Sequence, residues 1–292
     1  EPSVGHRVVF FDIETSTDGG FPNVETADRD ITAITLYDAT IKEYHVYVVD
    51  NSHSRENYSQ ENIHVNFFVD EFDLLYHFVD LWEGISPTIA SGWNSDFFDV
   101  PYLYRRLQHV VGMNNANRLS CIGRVKFAPY NQRYQIAGLS SIDYLLLYKK
   151  FTYSELPNYR LGTVGEVELG LPKIEFDGTL DELFEEDLDT FIKYSIRDVE
   201  ILVGLEEKMK LIELSRGICH IGHVPYEDYG MSSRWLEGTI ITDLHRRGLI
   251  ATDKNPAGKE MMDTTDKFEG AYVKTPLPAK HDWVFSMDLQ SL

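Results

Sequence analysis

The run Val8-Val9-Phe10-Phe11 passes directly into Asp12-Ile13-Glu14-Thr15. Four consecutive bulky apolar residues predict a strand covered on both faces, over Arg7 to Ile13, and are too apolar for an edge in solvent. Period-two alternation puts Asp12 and Glu14 on one face and Ile13 on the other. Side by side, the two carboxylates repel each other unless a cation lies between them. The end of a buried strand is also where open α/β sheets place their sites. One short segment thus predicts a central strand and a charged site at its end.

The following pattern alternates strands and helices. Ile31 to Asp38 and Glu43 to Val49 read as strands, and the short Ala39-Thr40 junction predicts antiparallel pairing. Asp70 to Trp82 has helical spacing, with Phe72, Leu75, Tyr76, Val79 and Trp82 on one face. Thr88 to Trp93 reads as a short strand delivering Asn94. Asp99 to Val111 reads as a helix that tolerates Pro101 in its first turn. Arg124 to Ile136 reads as a β-hairpin, Ser141 to Lys150 as a helix or strand–helix turn, and Leu180 to Leu214 as strongly helical. Tyr229 to Arg247 also looks helical, and Trp283 to Leu289 reads as a final strand. The alternation up to about Leu214 predicts an α/β sheet domain, and the character of the chain changes near Cys219.

The chain of 292 residues carries a net charge of −20, which by itself argues against a nucleic-acid partner. The acid is unevenly spread, however. From Glu166 to Glu200 twelve Asp and Glu residues face only Lys173, Lys193 and Arg197, while basic residues gather around Arg105-Arg106, Arg118, Arg124, Lys126, Arg133 and Lys149-Lys150. A local basic groove together with metal ions can still hold DNA. Cys121 and Cys219 make no zinc spacing and no disulfide framework. No apolar run reaches the roughly 18 residues of a membrane span, and no signal peptide opens the sequence.

Two further acidic clusters follow the first: Asn94-Ser95-Asp96-Phe97-Phe98-Asp99 and Tyr194-Ser195-Ile196-Arg197-Asp198. In a helix Tyr194 and Asp198 share a face, and Asp99 opens one. Asp12, Glu14, Asp99 and Asp198 are hard oxygen ligands suited to two magnesium or manganese ions. Such a pair suits phosphodiester cleavage, because it neutralises the phosphate, lowers the pKa of a water and stabilises the leaving oxygen. A tyrosine hydroxyl nearby can orient that water. Neither a P-loop, a dinucleotide fingerprint nor a serine nucleophile elbow is present.

In this order the three clusters resemble the Exo I, Exo II and Exo III motifs of the DnaQ-like 3′–5′ proofreading exonucleases. The forms N-x-x-x-F-D and Y-x-x-x-D resemble those of family B DNA polymerases, and in particular the replicative polymerases of T-even-like bacteriophages. The similarity extends through Phe21-Pro22, Ser91-Gly92-Trp93, Val100-Pro101-Tyr102, Ile142 to Phe151, and Asp198-Val199-Glu200. Near the end, Phe268 to Val273 and Phe285 to Leu292 resemble the entry into the polymerase palm and the start of motif A, where Asp288 matches the first metal-binding aspartate of a polymerase site that is incomplete here.

The resemblance implies a ribonuclease-H-like fold, a mixed five-stranded sheet flanked by helices over residues 1–218, followed by linker helices and the start of the palm over 219–292. It implies that Asp12, Glu14 and Asp198 hold the first cation, that Asp12 and Asp99 serve the second, and that Tyr194 orients the nucleophile. Phe21, Asn94 and Phe98 become candidates to contact the terminal nucleotides. The hairpin with Arg124, Lys126 and Arg133 resembles, in a short version, the element that helps separate primer end from template. The implied partners are DNA, the rest of the polymerase and a sliding clamp reached through other regions. The implied location is the cytoplasm of a phage-infected bacterium. A catalytically silent DNA-binding scaffold and a free-standing RNA exonuclease are the alternatives. Retention of all four acids and the tyrosine speaks against the first, and the palm-like end against the second.

Overall fold

The apolar run becomes strand β1 (Val8–Thr15), close to the middle of a mixed sheet. The computed structural model describes residues 5–17, 20–129, 132–153, 155–251 and 274–287. Strands β2 (Ile31–Asp38), β3 (Glu43–Val49), β4 (Tyr58–Gln60) and β5 (Ile63–Phe68) precede helix α1 (Glu71–Ile85). Strand β6 (Ile89–Ser91), α2 (Asp99–Val110), the single turn α3 (Met113–Ala116), a hairpin of β7 (Val125–Ala128) and β8 (Arg133–Ile136), and β9 (Ser140–Ser141) follow. Then come α4 (Tyr144–Phe151), α5 (Leu161–Leu169), α6 (Leu180–Glu186), α7 (Leu188–Met209), α8 (Leu211–Gly222) and α9 (Ser232–Arg246).

The sheet has seven strands among the described residues, in the order β4-β5-β3-β2-β1-β6-β9, rather than the five expected. The additional strands lie at the edges, where β4 is exposed and β9 is two residues long. Their sequences are too short or too polar to alternate clearly. As expected, β2 pairs antiparallel with β3, and β1 also pairs antiparallel with β2. On its other side β1 pairs parallel with β6, but only as far as Phe10 opposite Ser91. Beyond Phe10 that side of β1 is open.

Alternation along β1 divides the core. Val9, Phe11 and Ile13 pack with residues of α1 and α2 on one face. Phe10 packs with residues of α4, α5, α7 and α8 on the other. Asp12 and Glu14 share the parity of Phe10, so the fold turns both toward α7. A third cluster closes the sheet beneath α6 and α7 through Ala33, Val46, Val48, Leu183, Phe191 and Ile192. The result is three layers, helix–sheet–helix.

Several helices differ from their sequence patterns. On α1 the buried stripe is Leu74, Leu75, Phe78, Val79 and Trp82. Phe72 and Tyr76 instead stack on each other outside it, with ring centroids 6.2 Å apart. The stretch from Leu180 to Leu214 is three helices. Asp187 ends α6 and caps α7 by accepting the Thr190 amide, and Lys210 adopts the left-handed region between α7 and α8. Helix α5 lacks a strong apolar period, yet it packs on α7 through Gly165, where a Cβ would lie 2.8 Å from Ile201.

The chain divides into two compact units, Glu1–Gly248 and Leu249–Leu292. Residues 219–248 thus pack within the first unit, with Cys219 and Tyr229 in its core. In the second unit the described residues hold no helix or strand, so the strand expected at Trp283 is not formed over residues 283–287. Asp288 lies outside the described residues. Among the described residues, no helix is long and apolar enough to cross a membrane.

Candidate active site

Asp12, Glu14 and Asp198 converge at the open end of β1. One carboxylate oxygen from each lies within 4.8 Å of the others. The first two arrive by strand alternation. Asp198 arrives because α7 crosses this face of the sheet, with Ile201, Leu202 and Leu205 of the same helix in the core. Asp99 comes from the neighbouring layer. Where β6 has ended, the Ile13 amide lacks a strand partner and donates to Asp99 Oδ1 at 3.3 Å. That bond places Asp99 beside β1, between the positions of Asp12 and Glu14 in sequence.

The acids destabilise one another's charge. Asp12 is held well above the usual carboxylate range, first by burial and then by Asp99, Glu14 and Asp198. Glu14 is pushed up to about 8 by burial and by Asp198. Asp99 rises to about 7, through burial chiefly, against the hydrogen bond from Ile13. Asp198 is raised by burial, while Lys173 opposes the rise. Such a set calls for a cation. The donors fit one: they are hard oxygens, and Asp198 Oδ1 is buried with no hydrogen-bond partner.

Lys173 completes the arrangement, and sequence reading missed it. Its ammonium pairs with Asp198 Oδ2 and donates to the Tyr194 hydroxyl oxygen at 3.0 Å. Burial disfavours the ammonium, but Asp198 and Tyr194 outweigh that and hold its pKa above the ordinary lysine value. The lysine stem crosses Gly162, where a Cβ would approach Lys173 Cγ to 2.8 Å. The only sequence signal was its rarity, as one of three basic residues among twelve acids. Tyr194 and Asp198 share a helix face as expected, and Tyr194 is raised to about 12 by burial and the Asp198 charge.

A cavity of about 780 Å³ opens onto this centre, lined by Asp12, Asp198, Lys173, Asn94, Trp93 and Arg160 among others. Asn94 sits at its edge in the left-handed region, with φ 64°. The Phe21 ring is 85% exposed and 6.0 Å from that of Phe98, which in turn stacks on Tyr102 at 5.6 Å. Arg124 and Lys126 project from the hairpin into a different cavity of about 960 Å³. Arg133 lines the same cavity, where it pairs with the buried Asp96 at 3.0 Å and lies over the Phe97 ring.

Residues 5–164 match the family model described as DNA polymerase family B, exonuclease domain. The chain belongs to this family. It is 29% identical, over 98% of its length, to the DNA-directed DNA polymerases of Escherichia phage RB69 and of Enterobacteria phage T4. A 126-residue stretch, 39% of the chain, is 32% identical to 12% of the DNA polymerase catalytic subunit of Epstein-Barr virus strain B95-8. The chain spans about a third of the length of the phage relatives. The family match covers β1 through the first turn of α5, and so includes Asp12, Glu14 and Asp99. Asp198, Tyr194 and Lys173 lie beyond it, and the fold brings them to the same centre. The mixed sheet flanked by helices agrees with the ribonuclease-H-like architecture expected of the family.

Proposed function

We propose that this chain is a metal-dependent 3′–5′ exonuclease that removes misincorporated nucleotides, as deoxynucleoside monophosphates, from single-stranded or frayed DNA ends. It would do so as the proofreading part of a DNA-directed DNA polymerase, with residues 219–292 leading toward the palm and Asp288 belonging to the polymerase site. The observation that carries the reading is the approach of Asp12, Glu14 and Asp198 to within 4.8 Å in a family B exonuclease domain. That convergence speaks against a silent scaffold. The likeness to DNA polymerases speaks against a free-standing RNA exonuclease.

Asp12, Glu14 and Asp198 would hold one divalent cation, magnesium or manganese, and Asp12 with Asp99 a second. When bound, two such ions neutralise the phosphodiester, activate a water and stabilise the leaving 3′ oxygen. The chain's own groups do the positioning. Lys173 occupies Asp198 Oδ2 and leaves Oδ1 free for the cation. Because Lys173 donates to the Tyr194 oxygen, the phenolic hydrogen must point elsewhere. With its pKa near 12, Tyr194 keeps that hydrogen and can donate it to the attacking water or the phosphate. Exposed Phe21, backed by Phe98, offers a stacking surface for an unpaired base, with Asn94 at the cavity edge. Arg124 and Lys126 are available to phosphates further along the strand. Frayed ends suit this site because an unpaired base costs less to unstack.

The reading is tested with four 5′-labelled substrates: single-stranded DNA, a matched duplex, a duplex with a mismatched 3′ end, and single-stranded RNA. Single-stranded and mismatched DNA should shorten from the 3′ end fastest. Equal rates on matched and mismatched ends, or faster loss of RNA, would contradict it.

A further inference from the structure

Asp143 is fully buried, and its carboxylate accepts hydrogen bonds from four backbone amides. Oδ1 takes Leu145 and Leu146 at 3.0 and 3.3 Å, which caps α4, and also Asn94 at 3.1 Å. Oδ2 takes Asp96 at 3.3 Å. Two of the four bonds therefore serve a helix, and two serve the loop that leads into Asp99.

That loop depends on outside support. Asn94 has φ 64°, a conformation that a non-glycine residue adopts at some cost. The Asn94 carbonyl accepts both the Phe97 and the Phe98 amide at 3.1 Å, and the Ser95 carbonyl accepts the Val100 amide at 2.9 Å. The register of residues 94–96 is thus transmitted to the first turn of α2, where Asp99 sits. Phe98, at the cap position of α2, gives no side-chain hydrogen bond. Gly92 fits the loop against β1, since a Cβ there would lie 2.8 Å from the Phe11 carbonyl oxygen. The Tyr144 amide, next to Asp143, donates to the Gly92 carbonyl at 2.9 Å. One corner of the fold, residues 143–144, therefore grips the loop at 92, 94 and 96.

The geometry points to Asp143 as a positioning residue for the exonuclease reaction, fixing the loop 92–98 so that Asp99 stands beside Asp12. This rests on the reading proposed above. Asp143 does not line the cavity over the acids; it acts on Asp99 through the backbone of the loop, and its charge also bears on Asp99 directly.

The test is Asp143→Asn in the full chain. The amide oxygen can stay at the Oδ1 position and keep the α4 cap, but an NH2 group then faces the Asp96 amide, donor against donor. Asp143→Ser provides a second variant that keeps a helix-capping oxygen but is too short to hold the loop. For both we expect kcat on single-stranded DNA to fall about tenfold, as for a sub-ångström to 1 Å displacement of a reacting group. KM should rise less than kcat falls, the rise coming from Asn94 and Phe98 in the same loop. The manganese concentration giving half of the metal-induced rise in Tm should increase about threefold or more. Combined with Asp99→Asn, Asp143→Asn should cost little further activity, because the two act as one unit. A variant that melts earlier without metal but keeps wild-type kcat and manganese midpoint would overturn the inference, leaving Asp143 a helix cap alone. An inactive wild type would overturn the proposed function and this inference with it, whereas an active wild type with equally active variants overturns this inference alone.

Discussion

Without a bound cation, the carboxylates of the site should weaken the fold, and Glu14→Gln should strengthen it. The Glu14 carboxyl stands near 8 in the folded chain against 4.5 in a free glutamate. The folded state therefore holds this proton more tightly than the unfolded one. The associated stability is complete below about pH 4.5 and is lost as pH rises through about 8. At about 1.4 kcal/mol for each pH unit of difference, the loss is on the order of 5 kcal/mol by pH 8.5. Glutamine is similar in size and cannot ionise, so the variant should recover most of it. For a domain of this size that corresponds to a Tm about 10 °C higher. The assay is a pair of melting curves for wild type and variant, with chelator, from pH 5.5 to 8.5. The difference between the curves is the quantity of interest, because the whole chain carries a net charge of −20 and self-repulsion affects both proteins alike. The gap should be small at pH 5.5 and widest at 8.5. Adding manganese should raise the wild type more than the variant and close the gap. A variant that melts no later than wild type at pH 8.5, or a gap that does not grow with pH, would refute the reasoning.

Three other outcomes follow from the geometry. Lys173→Met keeps the stem over Gly162 but removes the ammonium from Asp198 and Tyr194, so single-turnover cleavage should slow ten- to a hundredfold with DNA affinity little changed. Arg133→Met leaves the buried Asp96 unpaired, so it should lower stability by about 2 kcal/mol in thermal melts, whereas Arg124→Met should leave Tm alone and weaken DNA binding at low salt. Phe21→Ala removes an exposed ring, so Tm should hold while KM for single-stranded DNA rises about tenfold in steady-state assays.

The centre of the fold was legible because its constraints are local. The apolar run before Asp12 required a covered strand, and alternation alone placed Asp12 and Glu14 together. Spacing of four residues placed Tyr194 with Asp198. The edges were not legible: β4 is exposed, β5 is only partly buried, and β9 is two residues long, so their side chains carry no clear period. The outer side of α1 was misread because Phe72 and Tyr76 are apolar yet stack on each other at the surface. Helix α5 was missed because it is short and buries only Leu161, Val164 and Gly165, too few apolar positions to set a period. In the site, Lys173 could not be placed from sequence, since it comes from a loop with no motif of its own. Arg133 was named as a candidate nucleic-acid contact, and nothing in the sequence shows its ion pair with the buried Asp96.

The central claim is that Asp12, Glu14 and Asp198 form a metal centre for cleavage from the 3′ end. Its most direct test is a time course with a 5′-labelled single-stranded DNA oligonucleotide and magnesium or manganese, run beside the Asp12→Ala/Glu14→Ala double variant. The account predicts a ladder that shortens one nucleotide at a time from the 3′ end, is abolished by chelator, and is absent from a double variant that is folded and melts no earlier than the metal-free wild type. A ladder that survives in the double variant, or a folded wild type that binds the oligonucleotide and leaves it intact with both metals, would contradict it.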